Sequence, residues 1–180
     1  MKNPLQTNPL FISIRQLIEE SKQQVAVAVN ATMSMLYWRI GKQINEEFLQ
    51  SNRADYGGQV IKSLALQLGA QYGKGWSEKQ LRHCLQFAKA FPDEAIVSTL
   101  WRQLSWSHLK LVIYFDDPLK RTFYTEMCKL EKWSVRTFQE RIQSMLYERT
   151  AISKKPEQTI QNDLELLRSQ QQLSPDLVLS

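Results

Sequence analysis

Residues 63–83 read Ser63-Leu-Ala-Leu-Gln-Leu-Gly-Ala-Gln-Tyr-Gly-Lys-Gly-Trp-Ser-Glu-Lys-Gln-Leu-Arg-His83. Val60, Leu64, Leu66, Leu68 and Tyr72 fall on or near one face of a helix running roughly from Gln59 to Gln71. Gly73-Lys74-Gly75 is a tight glycine turn. Ser77 then supplies a hydroxyl for the orphan N–H groups of a second helix, and Gln80 three residues on completes a capping box. That helix runs to about Phe91, where Pro92 and Asp93 stop it. Helix, glycine turn and capped helix in this order are the layout of a helix-turn-helix.

Working outward, the remaining chain is also helical. Glycine and proline each number 6 in 180 residues, and Asn-Gly or Asp-Gly hairpin signals are missing. On the N-terminal side, Ile14, Leu17, Ile18, Val25, Val29, Met33, Leu36, Ile40, Ile44 and Phe48 recur at helical spacing, and no proline interrupts Leu10 to Gln50. A straight helix of that length would be about 60 Å long. Such a helix either breaks near Asn30 or packs partly against another chain, which allows a homo-oligomer through residues 1–50. Gly57-Gly58 ends this segment. On the C-terminal side, helices are expected near Ser107–Phe115, from about Pro118 to Leu130 and from about Ser134 to Arg149. Residues 51–155 then make one helical domain. Residues 156–180 are Gln-rich and acidic and read as a linker or docking segment, with Ile160, Leu164 and Leu167 on a helix that Pro156 could start.

Three expected helix starts share the pair Trp-Ser. Ser77, Ser107 and Ser134 would be N-caps, with Trp76, Trp106 and Trp133 stapled to Leu81, Leu111 and Phe138 four residues past each cap. These tryptophans are therefore expected to fix helix entry rather than to stack on bases.

Composition bounds the function. Two cysteines, Cys84 and Cys128, make neither a disulfide framework nor a zinc site. No apolar run reaches the ~20 residues of a membrane span, and Met1 to Leu10 has no secretory pattern, so the expected setting is cytoplasmic. Enzyme motifs are missing: there is no phosphate-binding loop, nucleophile elbow or dinucleotide fingerprint. His83 and His108 have no Cys or Asp at ligand spacing, and Asp116-Asp117 reads as the cap of the next helix. No catalytic or metal-binding residue and no cofactor is expected in this chain. The formal charge is +5, distributed as +1 over residues 1–50, +4 over 51–110, +3 over 111–155 and −3 over 156–180. A basic middle suits a polyanion.

In a DNA-binding helix-turn-helix, the start of the second helix enters the major groove. Here it offers Lys79, Gln80, Arg82 and His83. Arg bonds guanine O6 and N7 in a fork, and Gln reads adenine. Lys62, Lys74 and Lys89 would hold phosphates. The later pair, 118–130 and 134–149, offers Arg136, Arg141 and Arg149, but Glu140 and Glu148 alternate with them and favour an ion-paired surface. The competing reading is a helical oligomerisation or protein-interaction module without DNA binding.

Further blocks stand in order: Tyr37-Trp-Arg-Ile-Gly41, Tyr56-Gly57, Gly73-Lys-Gly-Trp-Ser77, Phe91-Pro92, Ile96-Val-Ser-Thr-Leu100, Gln103-Leu-Ser-Trp-Ser-His108, Trp133-Ser-Val-Arg136 and Ser144-Met-Leu-Tyr-Glu-Arg-Thr150. They resemble the N-terminal domain of the YhcG-type proteins of bacteria, over about residues 10–178. The resemblance implies a helix-turn-helix or winged-helix-like DNA binder acting on duplex or branched DNA, in recombination or repair. It also implies a PD-(D/E)XK nuclease part using Mg²⁺ beyond the Ser174-Pro-Asp-Leu-Val178 segment, past the last residue here. Asp176 is not expected to be a catalytic carboxylate. His83 and Cys84 depart from the Arg and Met often found in relatives, which weakens one basic contact.

Overall fold

The computed structural model describes residues 9–50 and 56–152. Eight helices occupy them: α1 (Pro9–Gln50), α2 (Tyr56–Tyr72), α3 (Glu78–Ala90), α4 (Glu94–Leu100), α5 (Trp106–Val112), α6 (Pro118–Glu131), α7 (Val135–Gln143) and α8 (Leu146–Ile152). No strand occurs among the described residues, so a β-hairpin wing is not among them. The expected helix from Pro156 and Asp176 lie outside the described residues.

α1 is a single helix of 42 residues, about 63 Å long at ~1.5 Å per residue, and it passes through Asn30 without a break. Only its second half enters the body, through Ser34, Trp38, Gly41 and Ile44. Trp38 is buried, and its indole Nε1–H donates to the carbonyl of Phe91 at 2.7 Å. At Gly41 a Cβ would stand 1.8 Å from the Cys84 carbonyl oxygen. The backbones of α1 and α3 therefore touch, and α3 is the main partner of α1. Hydrogen in place of a side chain is what permits this approach.

Two apolar clusters follow. Ile44, Ile61 and Leu81, with Phe48, Leu64, Leu68 and Trp76 against them, join the end of α1 to α2 and the start of α3. The larger cluster joins Trp38 and the second half of α3, from Phe87 to Phe91, to Val97, Leu109, Val112, Phe123, Tyr124, Phe138 and Tyr147 of the later helices.

Local chemistry sets most helix ends. Ser77 accepts from the Gln80 backbone N–H at 3.3 Å, but the Gln80 amide turns toward Cys84 instead of closing a capping box. Trp76 packs in the cluster of Leu81, as a staple should. Ser134 caps α7 through Thr137, and Trp133 lies 6.0 Å from Phe138 between ring centroids. Asp117 caps α6 by accepting from Leu119 at 2.8 Å. The third expected staple is displaced. Ser105, not Ser107, is the N-cap of α5, and Trp106 is its first helical residue. The residues flanking that cap at the staple positions are Leu104 and Leu109, both buried. Trp106 instead packs on Tyr37 and Phe87.

Other boundaries differ from the spacing. Gly57-Gly58 sit in the first turn of α2, where Gly57 faces the Phe48 ring. Asp93 both ends the α3 region and caps α4, a helix the periodicity missed because it is only 7 residues long. The helix expected over 134–149 is two, broken at Ser144–Met145, where Met145 takes φ 55°. The break lets Leu146 and Tyr147 turn into the core, where the Tyr147 N–H donates to the Tyr124 hydroxyl at 3.2 Å.

Candidate nucleic-acid interface

α3 is amphipathic. Leu81, Cys84, Phe87 and Ala88 are buried, so residues 78, 79, 82, 83, 86 and 89 share the outer side at helical spacing. Glu78, Lys79, Arg82 and Lys89 are exposed there. Gln80 falls on the inner flank, half-buried, with its amide against the Cys84 sulfur. The structure therefore separates Gln80 from Lys79, Arg82 and His83. Lys62 on α2 and Lys74 in the turn are exposed outside this helix.

The end of α5 closes over the second half of the α3 face. His83 Nδ1 meets the Tyr114 hydroxyl at 2.6 Å, and the two rings stand edge to face. Gln86 donates from Nε2 to the Ile113 carbonyl at 2.9 Å. Burial lowers the pKa of His83, and the charges of Lys110 and Lys79 lower it further. The charges of Lys79 on α3 and Lys110 on α5 are thus both felt at His83, beside a half-exposed tyrosine. Arg82 is held only loosely, 3.9 Å from Glu78. Lys110 and Tyr114 are absent from the sequence-based site. Lys110 stands in the last turn of α5 and Tyr114 just past its C-cap Ile113, and only the packing of this segment on α3 brings Tyr114 to His83.

Several other basic groups are engaged by neighbouring side chains and carbonyls. An open groove of about 880 Å³ between α4 and α6 is lined by Phe91, Ile96, Leu100, Arg121 and Lys129. Arg121 donates to the Ala90 carbonyl at 2.8 Å and lies over the Phe91 ring, while Lys129 pairs with Glu126 at 2.8 Å. On α7, Arg136 pairs with Glu140 at 3.2 Å and Arg141 covers Trp133.

The remaining titratable groups are structural. His108 donates from Nε2 to the Trp133 carbonyl at 2.9 Å, so its Nδ1 is the acceptor for the Ser105 N–H at 3.3 Å and the Ser105 hydroxyl at 2.7 Å. It joins the start of α5 to the α6–α7 turn as a neutral ring, and burial lowers its pKa. Asp117 accepts from Leu119 and from the Tyr147 hydroxyl. Burial pushes the thiols of Cys84 and Cys128 up to about 12. Among the described residues no group of three or more His, Cys, Asp or Glu could hold a metal ion, so no chemistry of a bound Mg²⁺ is derived from them. None of the described helices is long and apolar enough to cross a membrane.

Residues 13–149, from the first turns of α1 into α8, match the DUF1016 N-terminal domain. The chain is also 28% identical over 174 residues to "Putative nuclease YhcG" of Escherichia coli (strain K12), an alignment covering 78% of this chain and 45% of that relative. It thus spans less than half of the curated relative's length. No solved structure matches. With the match running through six complete helices, most of α1 and the start of α8, the chain belongs to the DUF1016 N-terminal domain family.

Proposed function

We propose that this chain is a DNA-binding module of a YhcG-type nuclease, with α2 and α3 as a helix-turn-helix-like pair and the start of α3 as the element that meets the duplex. The observation that carries the reading is the exposed basic face of α3, with Lys79 and Arg82, beside which the His83–Tyr114 contact at 2.6 Å docks the segment ending α5. Like charges on one surface, as Lys79 and Lys110 are, with no ion pair to a carboxylate among the described residues, lower stability unless an anion binds them, and a phosphodiester backbone supplies such anions at regular spacing. Lys79 and Arg82 stand in the first two turns of α3, the part that would reach the groove. Lys110 and Tyr114 would meet the flanking backbone, with Lys62, Lys74 and Lys89 as further phosphate contacts. The relative's printed name supports a nucleic-acid substrate, and the role proposed with it is recombination or repair on duplex or branched DNA. Nuclease chemistry with Mg²⁺ would belong to a part of the longer protein other than the residues described here.

Titration of a labelled duplex at a series of salt concentrations tests this. Log affinity should fall linearly with log salt. Lys79→Ala and Lys110→Ala should each lower the slope by about one unit across all sequences, while Arg82→Ala should cost roughly 1–3 kcal/mol on a preferred sequence if it reads a base. A phosphate beside His83 favours its charged form, so binding should also tighten as pH falls below 6.5 toward the lowered pKa of His83 in the free protein. Undiminished binding by a folded Lys79→Ala/Lys110→Ala protein would remove α3 and α5 as the interface.

A further inference from the structure

We propose that the first half of α1 pairs in parallel with the same segment of a second copy of this chain. Every described residue from Pro9 to Asn30 is exposed, yet the segment is not polar. Phe11, Ile14, Ile18, Val25, Val29 and Leu36 are 47%, 47%, 48%, 62%, 55% and 41% exposed. Their spacings of 3, 4, 7, 4 and 7 place them on one stripe, about 38 Å long. The stripe faces away from the body. Leu36 lies two residues from both Ser34 and Trp38, roughly 160° around the helix from each of these buried positions. The body cannot cover it. A contiguous apolar surface of this length marks an interaction site, and most helical stability comes from packing an apolar face rather than from propensity.

The partner is read from the stripe and its flanks. With Phe11, Ile18 and Val25 at the first seam position of a heptad, Ile14, Ser21 and Ala28 take the second. The seam contains no charge, so a second copy can cover it without burying an unpaired ion. One flank carries Arg15 and Lys22, the other Leu17 and Gln24. In parallel pairing opposite flanks meet, so the Lys22 stem covers Leu17 of the other copy and the ammonium reaches water. In antiparallel pairing about the middle of the stripe like flanks meet, which sets Lys22 against Lys22. Glu19 and Glu20 lie on the far side, engaged within the helix by Lys22 and Gln16. An acidic or lipid partner would find only two cations along the flank, whereas a second copy offers an equally long uncharged ridge.

The test uses the full chain in sedimentation velocity and in oxidative cross-linking. The expected species is a dimer, twice 21.1 kDa. Ile18→Glu/Val25→Glu should give a monomer that keeps the body's melting transition, while Gln23→Glu on the opposite face leaves the dimer intact. Ile14→Cys should form an intermolecular disulfide, because parallel pairing brings the two introduced thiols together and an antiparallel pair would hold them ~27 Å apart. The native thiols are buried and stay out of the exchange. A wild-type chain that remains monomeric at high micromolar concentration overturns the proposal, including one that instead partitions onto anionic vesicles. So does a dimer that survives Ile18→Glu/Val25→Glu, or one in which Ile14→Cys fails to cross-link.

Discussion

The two halves of α1 share one backbone conformation and nearly the same density of apolar residues, yet they do opposite things. From Ala31 onward the helix buries Ser34, Trp38, Gly41 and Ile44 against α3 and the later helices. Before Ala31 it buries nothing among the described residues. The apolar stripe also changes sides: Phe11 to Leu36 lie on one face, and the residues from Ser34 to Ile44 on nearly the opposite one. A helical apolar period therefore establishes a helix, while the direction of its stripe decides which neighbour it serves.

The largest effect should come from breaking the buried half. In Gly41→Ala the new methyl would collide with the Cys84 carbonyl, backbone against backbone. No side chain can move aside, so α1 and α3 must separate. A loss of roughly 3 kcal/mol or more is expected, at the upper end of overpacking costs. It should appear as a fall of roughly 6–12 °C in Tm, at about 2–4 °C per kcal/mol for a chain of this size. An unchanged melting curve would mean that the helices do not meet there.

Trp38→Phe should come next. It leaves the Phe91 carbonyl without its indole donor in a buried place, a cost of about 1–3 kcal/mol, measurable by urea unfolding. Tyr37→Phe, whose ring packs on Trp76 and Trp106 and takes no part in that bond, serves as the control with a smaller shift.

A pH series sharpens the contrast, because the described part of α1 contains no histidine. His108 is bonded as a neutral ring and its pKa is lowered, chiefly by burial. Its contribution is present above pH 6.5, the unfolded value, and is lost as pH falls through 6.5 toward the folded value. His83 adds a slope of the same sign. Tm should therefore drop between pH 7.5 and 5.5, less steeply in His108→Asn. A flat Tm over that range would contradict the neutral bonding of His108.

The smallest effect belongs to the exposed half. Glu19→Ala removes an ion pair to Lys22 whose two side chains are 69% and 62% exposed. A change within about 0.5 kcal/mol is expected in thermal melts.

Local signals were legible where the physics is local. Ser77 and Ser134 were readable as caps because a hydroxyl beside a helix start needs only the next three residues to act. Trp76 and Trp133 followed as staples. Trp106 broke the pattern because Ser105 was an equally good cap, and burial of Leu104 and Leu109 selected it. Lys79, Arg82 and His83 were readable as one face of α3. Gln80 was not readable as leaving that face, since its place depends on where α1 covers α3. Nor could Lys110 and Tyr114 be found, because Lys110 follows His83 by 27 positions in the chain, with all of α4 between them.

By itself the sequence determined an all-helical chain, the glycine turn between α2 and α3, most of the caps, a basic middle and a family kinship. Each rests on neighbours within a few residues or on composition. Only the tertiary structure decided that Gly41 marks a backbone contact, that α1 runs unbroken past its own body, that Met145 turns the last helix inward, and that α5 completes the surface begun by α3. Those outcomes depend on the direction in which each helical stripe points, and that is fixed by the packing of all the stripes together.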